Sequence, residues 1–243
     1  MKNSLKLSLI FIFSIGMIST SNAQKWKGEK GNGNITTVTK TTSDYNTVKV
    51  VGFMDVELVS GNEGNITVTT DENIQKFVSV ESVNNVLTIK IKKHTGSIRT
   101  KKGIHITVPF RDLSNVSLTG SGDVFSNDTI KSTHFTTIVT GSGDLELQIE
   151  AQSTVAKITG SGDLKLSGTT QNSEIEVHGS GDFIGENLIS ENTEVTVTGS
   201  GDALVTATNS IKARVNGSGD ISYTGNPKTS NIKTLGSGDI IAH

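Results

Sequence analysis

The sequence predicts an all-β fold: a single-domain, right-handed parallel β-helix, or β-solenoid, with about 19–20 residues per regular turn. Three observations carry this expectation. The word Gly-Ser-Gly-Asp occurs seven times, starting at Gly120, Gly141, Gly160, Gly179, Gly199, Gly217 and Gly236, at spacings of 21, 19, 19, 20, 18 and 19 residues. Its flanks alternate apolar and polar residues with a period of two, as a strand with one buried face requires. Aromatic residues are only 5 % and apolar residues 33 % of the chain, which suits a narrow core of thin stacked layers better than a compact globule.

The N-terminus reads as a targeting segment. Lys2 and Lys6 precede the apolar run Leu7–Ile18, and Ser21-Asn22-Ala23 forms a small-residue cleavage site. The run has 12 residues, short of the roughly 20 that a membrane-spanning helix needs. Residues 1–23 are therefore expected to be a signal peptide, and the protein to be exported to the periplasm, the outer membrane or the exterior. Residues 24–39, rich in Lys, Gly and Asn, read as a flexible linker. The chain has no cysteine, so disulfides, thiolate metal sites, cysteine nucleophiles and a lipid-modified N-terminal cysteine are all excluded.

Residues 40–243 read as the solenoid. In 40–111 the repeat word is missing, but Val48-Lys49-Val50, Val56-Glu57-Leu58, Ile66-Thr67-Val68, Val86-Leu87-Thr88-Ile89 and Ile104-His105-Ile106-Thr107-Val108 alternate as strands between turns. They are expected to be earlier, less regular coils. In 112–243 the columns are explicit. Two residues before each word stand Leu118, Val139, Ile158, Val177, Val197, Val215 and Thr234; one after it stand Val124, Leu145, Leu164, Phe183, Ala203, Ile221 and Ile240. Both glycines of each word fall on the same inward parity: Gly120 and Gly122, Gly141 and Gly143, Gly160 and Gly162, Gly179 and Gly181, Gly199 and Gly201, Gly217 and Gly219, Gly236 and Gly238. An inward glycine marks a bend or a close backbone approach, so each word is expected to be a corner.

The aspartates Asp123, Asp144, Asp163, Asp182, Asp202, Asp220 and Asp239 would then stack about 5 Å apart and repel. Two readings offset that repulsion: each carboxylate accepts a backbone N–H at its own bend, or cations such as Ca²⁺ bridge the row. The repeat supplies one carboxylate per turn where Ca²⁺ wants six to eight oxygens, which favours the structural reading and implies no metal. A row of identical carboxylates also lacks the separated pKa values that glycoside hydrolysis needs.

The outward column Thr119, Thr140, Thr159, His178, Thr198, Asn216 and Leu235 is either a solvated face or a flat surface for a glycan or a protein. Lys90, Lys92, Lys93, His94, Arg99, Lys101 and Lys102 form a hairpin tip that is either solvated or a patch for an anionic glycan or lipid headgroup. Nucleic acid is not expected, because the net charge is −2 and stacking aromatics are absent near the cations. His94, His105, His134, His178 and His243 show no metal-ligand spacing.

The run from Tyr45-Asn46-Thr47-Val48-Lys49-Val50 through Val56-Glu57-Leu58, then Val86-Leu87-Thr88-Ile89, Ile106-Thr107-Val108-Pro109, and Leu113 to Gly122 followed by the Gly-Ser-Gly-Asp words, resembles the putative auto-transporter adhesin, head GIN domain family of bacterial envelope proteins. The resemblance covers about residues 44–240. It implies a β-helical, exported protein and brings no catalytic residues. Some members of that family are lipoproteins, an attachment that the missing cysteine excludes here. Two function classes follow: a non-catalytic envelope or surface protein that binds or builds, with a glycan or surface protein as partner and no cofactor, and a carbohydrate-active β-helix enzyme, a polysaccharide lyase or glycosidase. A groove holding a break in the repeat, with an unmatched Asp or Glu and a Lys or Arg, would favour the enzyme.

Overall fold

The structure, a computed structural model, describes residues 28–93 and 96–243. The signal peptide expected at 1–23, the first residues of the expected linker and His94 lie outside the described residues. The chain is a β-solenoid of about seven turns. Its strands are β1 (Glu29–Lys30), β2 (Ile35–Thr41), β3 (Thr47–Gly52), β4 (Asp55–Ser60), β5 (Asn65–Asp71), β6 (Val78–Val83), β7 (Val86–Ile91), β8 (Ile98–Arg99), β9 (His105–Phe110), β10 (Asn115–Gly120), β11 (Val124–Gly141), β12 (Leu145–Gly160), β13 (Leu164–Gly179), β14 (Phe183–Gly199), β15 (Ala203–Gly217), β16 (Ile221–Thr224), β17 (Thr229–Gly236) and β18 (Ile240–Ala242). All except β1 and β8 belong to one hydrogen-bonded sheet of 16 strands.

Each of β11 to β15 is almost a whole turn, running from the residue after one Asp to the first Gly of the next word, and each pairs in parallel with the next. From β12 to β13 the register stays at 19 residues throughout, Leu145 opposite Leu164 and Gly160 opposite Gly179. The uneven spacings elsewhere are absorbed by bulges, between Phe125 and Thr129, Lys165 and Gly168, and Gly185 and Asn192. The first bulge serves the turn beneath it: Ser126 Oγ donates to the Leu58 carbonyl, and the Asp128 carboxylate accepts the Ser60 N–H at 2.6 Å.

The inward columns form the core. Leu118, Val139, Ile158, Val177, Val197 and Val215 are buried, as are Val124, Leu145, Leu164, Phe183, Ala203 and Ile221. At one corner the core turns polar. There Thr154 Oγ1 donates to Thr170 Oγ1 at 3.1 Å, and Ser173 Oγ lies 3.0 Å from both Ser190 Oγ and Thr193 Oγ1. These buried hydroxyls bond one another from turn to turn, so the seam carries little desolvation penalty.

The region before the repeats departs from the sequence expectation in two ways. First, its coils do not stack in chain order. Strand β10 pairs with β3, and β3 with β7; β11 pairs with β4, and β4 with β9. The β3–β4 coil is therefore sandwiched between the β7–β9 coil, which follows it in sequence, and the first regular turn. Second, not all of it is parallel. Strand β6 returns on β7 through Asn84-Asn85, both with positive φ (53° and 62°), the pairing of conformations a two-residue hairpin requires. Strand β5 runs antiparallel to β9 and β2. These strands cover the edges of β7 and β9 at the end of the parallel coil.

The linker expectation for 24–39 fails over its described part. Residues 35–41 form β2 along the full length of β5, because Ile-Thr-Thr-Val-Thr is a β-branched run of high strand propensity. Asp71, buried at the end of β5, fixes the approach: its carboxylate accepts the Lys101 N–H at 2.9 Å and the Gly33 N–H at 2.6 Å. The Lys101 amide, then that of Gly33, holds this carboxyl below its ordinary range. The stability it adds is complete above the unfolded carboxyl value of about 3.9 and is lost as pH falls through the depressed native value. Asp71→Ala is therefore expected to lower the melting temperature at neutral pH, with the gap to the wild type closing in strong acid. A gap that stays constant down to strong acid contradicts this assignment.

Candidate functional site

Stacking explains the repeated corner atom by atom. The carbonyl of each first glycine accepts two N–H groups from the next turn: Gly141 O receives Ser161 N at 2.8 Å and Gly162 N at 3.1 Å, and the same pair recurs along the ladder. That leaves the Asp N–H. The carboxylate of the preceding turn takes it: Asp163 N to Asp144 Oδ1 and Asp182 N to Asp163 Oδ1 at 2.9 Å, then Asp202, Asp220 and Asp239 in sequence at 2.8, 2.8 and 2.7 Å. The expectation that each carboxylate bonds its own bend is therefore corrected. The bond runs between turns, because the bend's other N–H groups already have their acceptors one turn away. From Asp123 to Asp220 every rung commits one carboxylate oxygen to the backbone of the next turn, and the favourable charge–dipole contact works against repulsion along the row.

The glycines permit this spacing. Gly120, Gly141, Gly160, Gly179, Gly199, Gly217 and Gly236 all have positive φ, between 122° and 145°. A Cβ on any of them would overlap the carbonyl oxygen of the first glycine one turn before, and a Cβ on Gly122, Gly143, Gly162, Gly181, Gly201, Gly219 or Gly238 would overlap the second-glycine position likewise.

The ladder holds an eighth rung that lacks the repeat word. Gly52-Phe53-Met54-Asp55 stacks beneath Gly120-Ser121-Gly122-Asp123, with Gly52 opposite Gly120 and φ of 142°. Asp123 N lies 3.4 Å from Asp55 Oδ1, and His105 Nδ1 lies 3.5 Å from the other oxygen of Asp55. The column rule could have found it, since Val50, Val48 and Val56 occupy the same offsets as the later apolar columns.

The outward column from Thr119 to Leu235 is continuous and in register, with Val51 as its first member. Beside the polar seam a groove of about 510 Å³ crosses five turns, its floor formed by Ser153, Asn172, Asn192, Ser210 and Thr229. The floor is itself bonded: Asn192 Nδ2 donates to Asn172 Oδ1 at 3.1 Å, and Asn209 Nδ2 and Ser210 Oγ donate to Asn192 Oδ1 at 2.9 and 2.8 Å. Along one wall stand Glu174, Glu194 and Lys212, a break in the repeat of the kind a carbohydrate-active site would need. Glu194 is salt-bridged to Lys212 at 2.5 Å, and on the neighbouring column Glu176 is salt-bridged to Lys157 at 2.8 Å. The Lys157 hydrogen bond holds the Glu176 carboxyl below its ordinary range, the opposite of what a general acid requires. Polar residues at inward positions, Thr154, Ser173 and Thr193, were the sequence signal for this corner.

Among the described residues, no three His, Cys, Asp or Glu side chains converge as a metal-binding set, and no helix is long and apolar enough to cross a membrane. His105 bonds at the foot of the ladder, and His178 lies 3.8 Å from Glu176. The cations of 90–102 are not brought to the aspartate row as a group: Lys90 faces Glu81 at 3.8 Å, and Arg99 lies on β8 against β1.

A comparison with curated proteins finds no match. Among solved structures, a "putative adhesin" from Bacteroides fragilis NCTC 9343 is similar at a TM-score of 0.83 and 24 % identity, over 89 % of this chain and 100 % of that one. A "putative lipid binding protein" from Parabacteroides distasonis ATCC 8503 is similar at 0.75 and 25 % identity, over 89 % and 100 %. A "putative adhesin" from the same strain is similar at 0.72 and 24 %, over 88 % and 99 %. These structures share the solenoid fold. The family model described as "putative auto-transporter adhesin, head GIN domain" matches residues 44–227, which spans the coils from β3 to β9 and the glycine–aspartate ladder through Asp220, and the chain belongs to that family.

Proposed function

We propose that the protein is an exported, non-catalytic solenoid that works at the cell envelope by binding, with a glycan or a surface protein as its ligand. The signal-like N-terminus supports export, and the adhesin family supports a surface role. The observation that carries the non-catalytic reading is the use made of the carboxylates. Those that recur are bonded to the backbone of the next turn, and Glu176 and Glu194 beside the groove are tied to lysines. The polar groove and the flat polar face stay open, both long in the direction of the axis and suited to an extended ligand.

The groove is the place to test it. Glycan-array and pull-down screens on residues 24–243 are expected to yield a ligand whose binding falls at least about tenfold in Asn192→Ala with Lys212→Glu, the loss of a few polar contacts. Unchanged binding in that variant moves the ligand off the groove. The enzyme reading has one observation in its favour, the Glu174, Glu194 and Lys212 wall. It predicts shortened chains when the bound polysaccharide is incubated with the protein; the binding reading predicts chains of unchanged length.

A further inference from the structure

We infer that the capped end of the solenoid carries a docking surface for an anionic lipid bilayer, built where β3 and β7 lie side by side. The inference rests on the envelope location proposed above. On β3 and the two residues after it the outward side chains are Lys49, Val51 and Phe53, with Val50, Gly52 and Met54 turned inward. Val51 and Phe53 remain 43 % and 39 % exposed. In the corresponding column of the regular turns these places belong to Thr119 and Ser121, so the apolar pair is peculiar to this coil. On the neighbouring strand Lys90 stands opposite Val51, and Lys92 follows at the next outward position.

The fold gathers further cations here from distant sequence. The Lys92 N–H donates to the Phe77 carbonyl at 2.9 Å, and Lys76 Nζ sits 4.9 Å above the Phe77 ring. Lys40 reaches the Val78 carbonyl next to it. Burial, then the Lys92 charge, lowers the Lys40 pKa, a sign of how closely these ammonium groups are packed. Lys93 continues the row, exposed. Lys90, Lys92 and Lys93 of the sequence cluster thus join Lys40, Lys49 and Lys76 in a larger patch, alongside Glu81, which faces Lys90 at 3.8 Å.

The occupant follows from charge and from the apolar pair. Residues 28–111 carry eleven Lys and Arg against eight Asp and Glu, net +3, while residues 112–243 carry seven against sixteen, net −9. An anionic surface would attract the capped end and repel the body. Cations flanking exposed apolar and aromatic side chains are the composition of interfacial membrane contacts, where lysines meet phosphates and the apolar groups enter the acyl boundary. A dissolved polyanion would use the lysines and leave Val51 and Phe53 idle.

Co-sedimentation of residues 24–243 with vesicles tests this. Binding is expected to vesicles of equal parts phosphatidylcholine and phosphatidylglycerol and not to phosphatidylcholine alone, and to fall with added salt. Lys90→Glu with Lys93→Glu should weaken it at least about tenfold. Phe53→Ser, which leaves the charge unchanged, should weaken it by about threefold or more, and Lys233→Glu on the body should not. Circular dichroism would verify that each variant is folded. No binding to the anionic vesicles, or equal binding to both kinds, overturns the inference. So does binding that Phe53→Ser leaves intact and that soluble polyphosphate abolishes, which would mark a dissolved polyanion as the ligand. Because the glycan screen addresses a groove on the other part of the molecule, its failure and the failure of the vesicle assay are separately readable.

Discussion

Gly160→Val is expected to cost at least about 3 kcal/mol and to leave much of the protein unfolded at physiological temperature. Gly160 has φ of 130°, a conformation that a β-branched residue adopts only under strain. Its added Cβ would also overlap the Gly141 carbonyl oxygen, which accepts both Ser161 N–H and Gly162 N–H. Relief would require separating two turns along the whole corner, breaking those bonds and the Asp163 to Asp144 rung. Gly162→Val should be as severe through the Gly143 carbonyl alone. Ser161→Ala, an outward change between them, should stay within about 0.5 kcal/mol. Chemical denaturation of the three variants gives the comparison, and similar midpoints for Gly160→Val and Ser161→Ala would remove the stacked-corner explanation.

Met54→Gly restores the repeat word more nearly to its consensus, yet it should destabilise by about 2–5 kcal/mol. The second glycine of each later word exists because the backbone carbonyl of the same position one turn before stands where its Cβ would be, and for Gly122 that carbonyl is Met54's own. Beneath Met54 the repeat has ended: in the β7–β9 coil the corner between Ile91 and His105 is replaced by the longer segment that carries β8. Met54 is fully buried, and its sulfur is the nearest group beneath Gly52, 3.0 Å from where a Cβ would stand. A flexible thioether fills the irregular space that ends the ladder. Removing it leaves a void and adds backbone entropy to the unfolded chain. Met54→Leu, close in volume, should cost less than about 1.5 kcal/mol. If Met54→Gly melts at or above the wild type, the ladder does not end as described.

The regular coils were legible because one physical constraint, parallel strands stacked with one face inward, acts at every turn and repeats itself in the residues. Val139, Ile158, Val177 and Val197 fall in one column from the sequence alone. The order of the first coils could not. Strands β3, β7 and β10 all read as half-buried and alternating, and nothing in Val48-Lys49-Val50 or Val86-Leu87-Thr88-Ile89 states that β3 lies between the other two. The antiparallel return of β6 was signalled by Asn84-Asn85, whose preference for positive φ is local. The role of β2 was hidden by its neighbours, since the Lys-, Gly- and Asn-rich composition of 24–34 masked the β-branched run that follows. The aspartate row was seen but its partner was misassigned by one turn, because spacing fixes which residues stack and not which N–H is left over. The basic patch was half visible; Lys40 and Lys76 join it only through the fold.

The most direct test of the account is the melting temperature of residues 24–243 in excess chelator and in millimolar Ca²⁺. If the carboxylates of Asp123 to Asp220 exist to receive backbone N–H groups, the two curves should superimpose. Asp163→Ala should lower the melting point equally in both, because the Asp182 N–H loses its acceptor, at about 1–3 kcal/mol if no water replaces it. A bridging cation predicts otherwise. A site saturated at about 100 times its Kd adds about 2.7 kcal/mol, or roughly 5–10 °C for a chain of this size. A rise of that size in Ca²⁺, lost when Asp163 and Asp182 become Asn, would make the ladder a cation site and contradict the structural account.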